Sequence, residues 1–237
     1  MTIKHLTVAT VAICLMAAAP AQAFLIDDFN TLQTVAQTGV GSNGAGIATP
    51  GAVGGARYTQ ATVTAGAGAL DLGSDFPING AFSHSQASGV TGNSLLQWDG
   101  DTNSTLGFGL GGVDLTDAGA STGIVIRLLQ TDFPVNITIN VFENASDYSS
   151  TTVVVPFLAM NVDFFIDFAS FIPTGAGADF TSVEAINLTI NDATGFANAD
   201  VAIDFIESTS IPEAGILAIF GLGLIGVAAA RRRNARS

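Results

Sequence analysis

Basic side chains are almost missing from most of this 237-residue chain. Between Phe24 and Ser210 only Arg57 and Arg127 are basic, against nineteen Asp and Glu, a balance of about −17. A surface of that sign repels phosphate backbones, which excludes nucleic acid as a partner, and it opposes docking on anionic lipid. Divalent cations and neutral partners such as glycans are compatible with it. Cysteine is equally scarce. The one thiol, Cys14, lies in an N-terminal apolar stretch, so the rest of the chain has neither a disulfide framework nor a thiolate metal site. At this length a core can hold a fold together without disulfides. Lys4 is the only lysine, and His84 the only histidine beyond His5. The surroundings of His84, FSHSQ, read as an exposed strand or loop, and zinc hydrolase chemistry lacks its usual ligands. Gly107–Gly112 and Gly221–Gly226 each fit G-x-G-x-x-G. The first has no helix after it and the second lies in an apolar tail, so neither offers the strand–turn–helix setting that dinucleotide binding needs.

The two ends are apolar. At the start, Lys4 gives a short basic region, Leu6–Ala19 an apolar stretch, and Ala21-Gln22-Ala23 a small-x-small cleavage site. This predicts a secretory signal peptide over residues 1–23 and a mature chain opening at Phe24. Ile13 stands before Cys14 where a lipoprotein signal needs a small residue, which argues against lipidation. At the other end, residues 211–237, Pro212 and Glu213 precede the uncharged run Ala214–Ala230, and Arg231, Arg232, Arg233 and Arg236 follow it. Seventeen residues at about 1.5 Å each are near the lower limit for a transmembrane helix. The arginines are what the positive-inside rule places in the cytoplasm. This order of Pro-Glu, apolar helix and Arg cluster resembles the PEP-CTERM sorting tail of Gram-negative bacteria that make exopolysaccharide. The resemblance covers about the last 27 residues and departs at Ala214, where the motif has proline. It implies an exosortase-like processing enzyme as partner, an inner-membrane-anchored precursor, and delivery to the cell surface or extracellular matrix.

Residues 24–210 show little helical periodicity and much period-two alternation. In VNITINVFE, Val135, Ile137, Ile139 and Val141 share one face, and Asn136, Thr138 and Asn140 the other. FLIDDF, RYTQATVT, GALDLG, SLLQWD, GIVIRLLQ, STTVVVP, NVDFFIDF, VEAINLTIN and DVAIDFIES are further strand candidates. Many short strands between turn residues predict an all-β, antiparallel sandwich, flanked by the signal helix and the transmembrane helix. The Gly/Ala-rich segment Thr38–Ala56 reads as a long mobile loop. The opening Ile26-Asp27-Asp28-Phe29, the late pattern Phe180–Leu188 and the closing Val201–Ile206 resemble a jelly-roll of the galactose-binding-like type, found in many carbohydrate-binding modules.

Three groups of residues could bear a ligand. WDGDTNS places Asp99, Asp101 and Asn103 at alternate positions, where oxygen donors can face a cation. Ser104 and Leu110 break the EF-hand pattern there, and a solvated turn is the competing reading. The jelly-roll resemblance implies neighbouring first and last strands, with a structural calcium between carboxylates such as Asp28 and Asp204. Trp98, with the tyrosines, could form a sugar-stacking platform, although its alternation with Leu96 favours the core. The expected function is that of a non-catalytic exported envelope or matrix protein, with exopolysaccharide as its expected associate. The alternatives are a carbohydrate-binding module proper, marked by exposed aromatics on one sheet, and a glycan-active enzyme, marked by a carboxylate pair at about 5–9 Å.

Overall fold

The computed structural model describes residues 23–73, 80–157, 161–191 and 197–210. Residues 1–22 of the signal segment, Ala21 among them, lie outside the described residues, as do Pro212, Glu213, the apolar run and the arginines at 231–233. Ala23 is exposed at the start of the described chain. Among the described residues no helix is long and apolar enough to cross a membrane.

Fourteen strands follow one another in the described residues: β1 (Phe24–Asp27), β2 (Thr34–Thr38), β3 (Gly41–Ala48), β4 (Ala56–Ala65), β5 (Ala69–Gly73), β6 (Phe82–Gln86), β7 (Thr91–Trp98), β8 (Gly123–Thr131), β9 (Val135–Phe142), β10 (Tyr148–Val155), β11 (Val162–Asp167), β12 (Ile172–Thr174), β13 (Ala185–Ile190) and β14 (Asp200–Thr209). The first sheet runs β11-β8-β14-β6-β5-β2, with β1 beside β14, and the second runs β12-β10-β9-β13-β7-β4-β3. Every pairing is antiparallel. The molecule is the antiparallel two-sheet sandwich that the alternation predicts, and its first and last strands run side by side.

The core lies between the sheets. β9 turns Val135, Ile137, Ile139 and Val141 inward, where they meet Ile124, Ile126 and Leu128 of β8 in one apolar cluster. Each such side chain contributes roughly 1.5–3 kcal/mol when fully removed from water. Two of the places where polar atoms enter this interior link the sheets directly. At one, Arg57 on β4 forms an ion pair with Asp27 on β1, both fully buried. At the other, His84 on β6 reaches across to Ser94 on β7.

Two sequence expectations change here. Thr38–Ala56 is not a long loop, because β3 occupies Gly41–Ala48 and pairs with β4 along its length. Its small residues hide the usual strand signal, and they are needed for close approach. A Cβ on Gly44 would strike the Tyr58 hydroxyl, and one on Gly46 would strike the Thr102 carbonyl. FSHSQ is also not exposed around His84. It is the strand β6, with Phe82, His84 and Gln86 buried and Ser85 turned out.

Candidate functional site

The outer face of the second sheet is set by the residues that alternate with the core positions. Strand pairing lines them up in rows. One row crosses Ser150, Asn140, Asn187, Gln97 and Tyr58 on β10, β9, β13, β7 and β4. The next crosses Thr152, Thr138, Thr189, Leu95 and Gln60 on the same strands. A third, at one end, holds Tyr148, Phe142 and Ala185. Neighbouring strands are about 4.8 Å apart, so hydroxyl and amide groups recur across the sheet at that spacing.

A loop covers one half of this face. Gln97 donates from Nε2 to the Asp99 carboxylate at 2.7 Å and to the carbonyl of Thr105 at 3.4 Å, so the chain after β7 folds back over it. Asp99 holds the loop shut, accepting from the amides of Asp101 at 3.1 Å and Gly107 at 2.6 Å. The Gly107 bond brings Phe108 back to the sheet, where its ring lies edge-on to Phe142 at 6.3 Å. Phe142 in turn lies 5.2 Å from its cross-strand neighbour Tyr148. The open half is therefore a field of Asn140, Asn187, Ser150, Thr138, Thr152 and Thr189 bordered by an aromatic rim. Thr138 and Thr152 share a hydrogen bond at 2.9 Å. The Asn187 Oδ1 atom is buried without a partner among the described residues. None of the residues in the three rows is charged.

The residues singled out from sequence fall elsewhere. Trp98 is fully buried in the core and its indole N–H donates to Asp27 at 2.7 Å, so it offers no ring face for stacking on a sugar. Asp101 accepts from the Asn103 amide and side chain, both at 2.7 Å, so Asp99, Asp101 and Asn103 close their own turn. Asp28 accepts from the Asn30 amide at 3.0 Å. Asp204 stands on β14, where it adds to the charge around Arg127. Among the described residues no group of three or more acidic, histidine or cysteine side chains could hold a metal ion. Sequence reading missed the open rows of the face. Asn136, Thr138 and Asn140 were visible as the polar side of one strand, but their alignment with Asn187 and Ser150 depends on long-range strand order.

Several carboxylates serve turns. Asp114 accepts from the Thr116 hydroxyl and amide and from the Ala118 amide, and these donors hold its carboxyl below the usual range. Thr181 does the same for Asp179, and the Ala176 amide with Asn144 for Asp147. A group held ionised in this way is a poor proton donor at neutral pH.

Fold and face thus define a jelly-roll-type β-sandwich with a neutral polar surface on one sheet. Residues 210–233 match the PEP-CTERM protein-sorting motif, so the chain carries that signal at its C-terminus and is an exported precursor. No curated protein matches the chain. Among solved structures, the chain is similar to a family 11 carbohydrate-binding module from Clostridium thermocellum in complex with a β-1,3-1,4-mixed-linked tetrasaccharide. The identity there is 11%, over 81% of this chain and 98% of that one, with a TM-score of 0.39. A solution structure of that module gives 13% identity over 84% and 100% of the two chains, with a TM-score of 0.44. An exo-β-agarase gives 10% over 80% of this chain and 25% of that one, with a TM-score of 0.41.

Proposed function

We propose that this is a non-catalytic envelope or matrix protein that associates with neutral extracellular polysaccharide through the open half of the second sheet's outer face. The observation that carries the reading is the absence of charge in rows of amides and hydroxyls, on a domain whose balance is about −17. Asn140, Ser150 and the threonines can donate to and accept from sugar hydroxyls, and the Phe108–Phe142–Tyr148 rim offers apolar surface to a ring. No carboxylate stands in these rows to act as acid, base or nucleophile.

Electrophoresis through gels containing the producing cell's exopolysaccharide, a neutral β-glucan or anionic alginate tests this. Retardation by a neutral polymer and none by alginate is expected. Replacing both Asn140 and Tyr148 with alanine should weaken retention about tenfold or more, the scale of one or two binding hot spots. Equal retardation of the variant, or mobility unchanged by every neutral polymer, would refute the reading.

The sorting tail supplies the address in the same reading, with an exosortase-like enzyme as processing partner. Three cytoplasmic charges resist translocation. Neutral replacements at Arg231, Arg232 and Arg233 are therefore expected to loosen membrane retention and leave the precursor unprocessed. Cell fractionation reads both, and an unchanged pattern would remove the arginines from this role.

A further inference from the structure

The loop after β7 is seated on the second sheet as a fixed wall. Asp99 is not its only anchor. The Thr102 carbonyl lies over Gly46 of β3, where a Cβ would strike it. Gly54 likewise leaves room for Leu110 and for the backbone of Gly100. Leu110 donates its amide to the Glu184 carbonyl at 3.2 Å, and Gly111 donates to the Glu184 carboxylate at 2.9 Å. The wall thus stands over β7 and its neighbours β4 and β3, and it leaves β10, β9 and β13 uncovered.

Burial along the first row of the face records where the wall falls. Ser150, Asn140 and Asn187 are half-buried, whereas Gln97 is 2% exposed and Tyr58 6%. The row is therefore open across three strands, about 10 Å or roughly the width of two sugar rings, and then stops. Tyr148, Phe142 and Phe108 close its flank one row further along the strands. The row on its other side does not stop. Thr152 is exposed, and Thr138, Thr189, Leu95 and Gln60 are half-buried, so that row is open from β10 to β4. A through-passage and a blind pocket lie side by side.

We propose that the blind pocket takes a terminal glycosyl unit, the end of a chain or a single-unit branch, and not an internal stretch of polymer. This rests on the reading of the same face as a surface for neutral glycan. A chain crossing the strands along the first row meets the loop at Gln97, so only a unit that ends there can fill the row. Such a unit carries a free hydroxyl where an internal one carries a glycosidic oxygen. The hydroxyl donates as well as accepts, and Asn140 and Ser150 offer partners of both kinds. A site built to bond a hydroxyl discriminates against the same unit without it. The aromatic flank gives the ring an apolar surface, and the threonine row lets the rest of the polymer leave without touching the wall.

Competition in the retardation gels tests this with the full-length chain. The probe is whichever of the cell's exopolysaccharide and the neutral β-glucan retards it, supplied free in solution. Partial acid hydrolysis at constant mass raises the terminal units per gram about tenfold, and inhibition per gram should rise by about the same factor. Enzymatic removal of single-unit branches from the uncut polymer separates the two sources. Inhibition lost on debranching assigns the pocket to branches, and inhibition kept assigns it to chain ends. Inhibition per gram that stays level or falls as the chains shorten would overturn the proposal while leaving glycan binding intact. Retardation by neither polymer would remove the parent reading, and this one with it. Phe108→Ala, at a side chain 39% exposed, takes away part of the flank and should weaken inhibition by the fragments about tenfold. Fragments that compete equally well for that variant and for the unsubstituted chain would also overturn the proposal.

Discussion

Replacing Arg57 with leucine is expected to cost the sandwich about 3–5 kcal/mol, the range for removing one partner of a buried ion pair. The guanidinium is the centre of an internal polar network. Its Nη1 donates to both oxygens of Asp27, at 2.9 and 2.8 Å, its Nε to Gln33 at 2.9 Å and its Nη2 to the Thr31 carbonyl at 3.2 Å. The group also lies 5.1 Å from the ring centre of Phe29. Asp27 further accepts from the Trp98 indole at 2.7 Å and the Phe29 amide at 2.9 Å. The network thus fastens β1, at the margin of the first sheet, to β4 and β7 of the second. Lysine would not substitute, since one ammonium cannot reach Asp27, Gln33 and Thr31 together.

The loss should carry a pH signature. Burial pushes the Asp27 carboxyl above the usual range, against the downward pull of Arg57 and the Trp98 and Phe29 donors. Arg57→Leu removes the largest of these pulls, so the folded variant should hold a proton on Asp27 at a pH where the unfolded chain has released it. A raised folded pKa means that stability increases as pH falls toward the unfolded value. The difference between wild type and variant should therefore shrink from pH 7 to about pH 5. Urea unfolding of the Phe24–Ser210 fragment measures it. A cost below about 1 kcal/mol, the same at both pH values, would show that the pair adds nothing.

Much of the fold is readable in the sequence, and the exceptions share a cause. VNITINVFE and GIVIRLLQ announce themselves because β-branched residues recur at every second position. β3 does not, because GSNGAGIA gives up side chains so that Tyr58 and the Thr102 carbonyl can lie against its glycines. β6 does not, because its inward residues after Phe82 are His84 and Gln86, whose polarity imitates a surface strand. Trp98 follows its alternation with Leu96 into the core. The candidate face is half readable. One strand shows Asn136, Thr138 and Asn140 on a common side, while Asn187 and Ser150 come from segments far away in sequence and meet only through β13 and β10. Phe108 belongs to no strand, and its arrival depends on the Asp99–Gly107 bond.

Acidification should destabilise the sandwich through His84, and removing that imidazole should flatten the response. The ring is fully buried between the sheets, with Nδ1 3.0 Å from the Ser94 hydroxyl. Its Nε2 has no hydrogen-bond partner among the described residues. Burial lowers its pKa from 6.5 to about 3, because an imidazolium there would lose its hydration without gaining a counter-ion. Below 6.5 the unfolded chain therefore takes up a proton that the folded chain refuses. Each pH unit over that window costs about 1.4 kcal/mol, or about 3 kcal/mol by pH 4.5. The turn carboxylates do not mask this effect. Asp114, Asp147 and Asp179 have lowered pKa values, so their contribution persists until pH falls below the ordinary carboxylate range. Asp27 and Glu207 have raised values and push the other way, gaining stability as pH falls. Phenylalanine at position 84 keeps a planar ring against the core and removes the unpaired Nε2, at the expense of the Ser94 hydrogen bond. At pH 7 the variant should lie within about 1–2 kcal/mol of wild type, the range for one buried hydrogen bond lost. At pH 4.5 it should be the more resistant to urea, by up to about 3 kcal/mol relative to that starting difference. Parallel pH profiles for the two proteins would show that His84 is protonated in the folded state as readily as in the unfolded one.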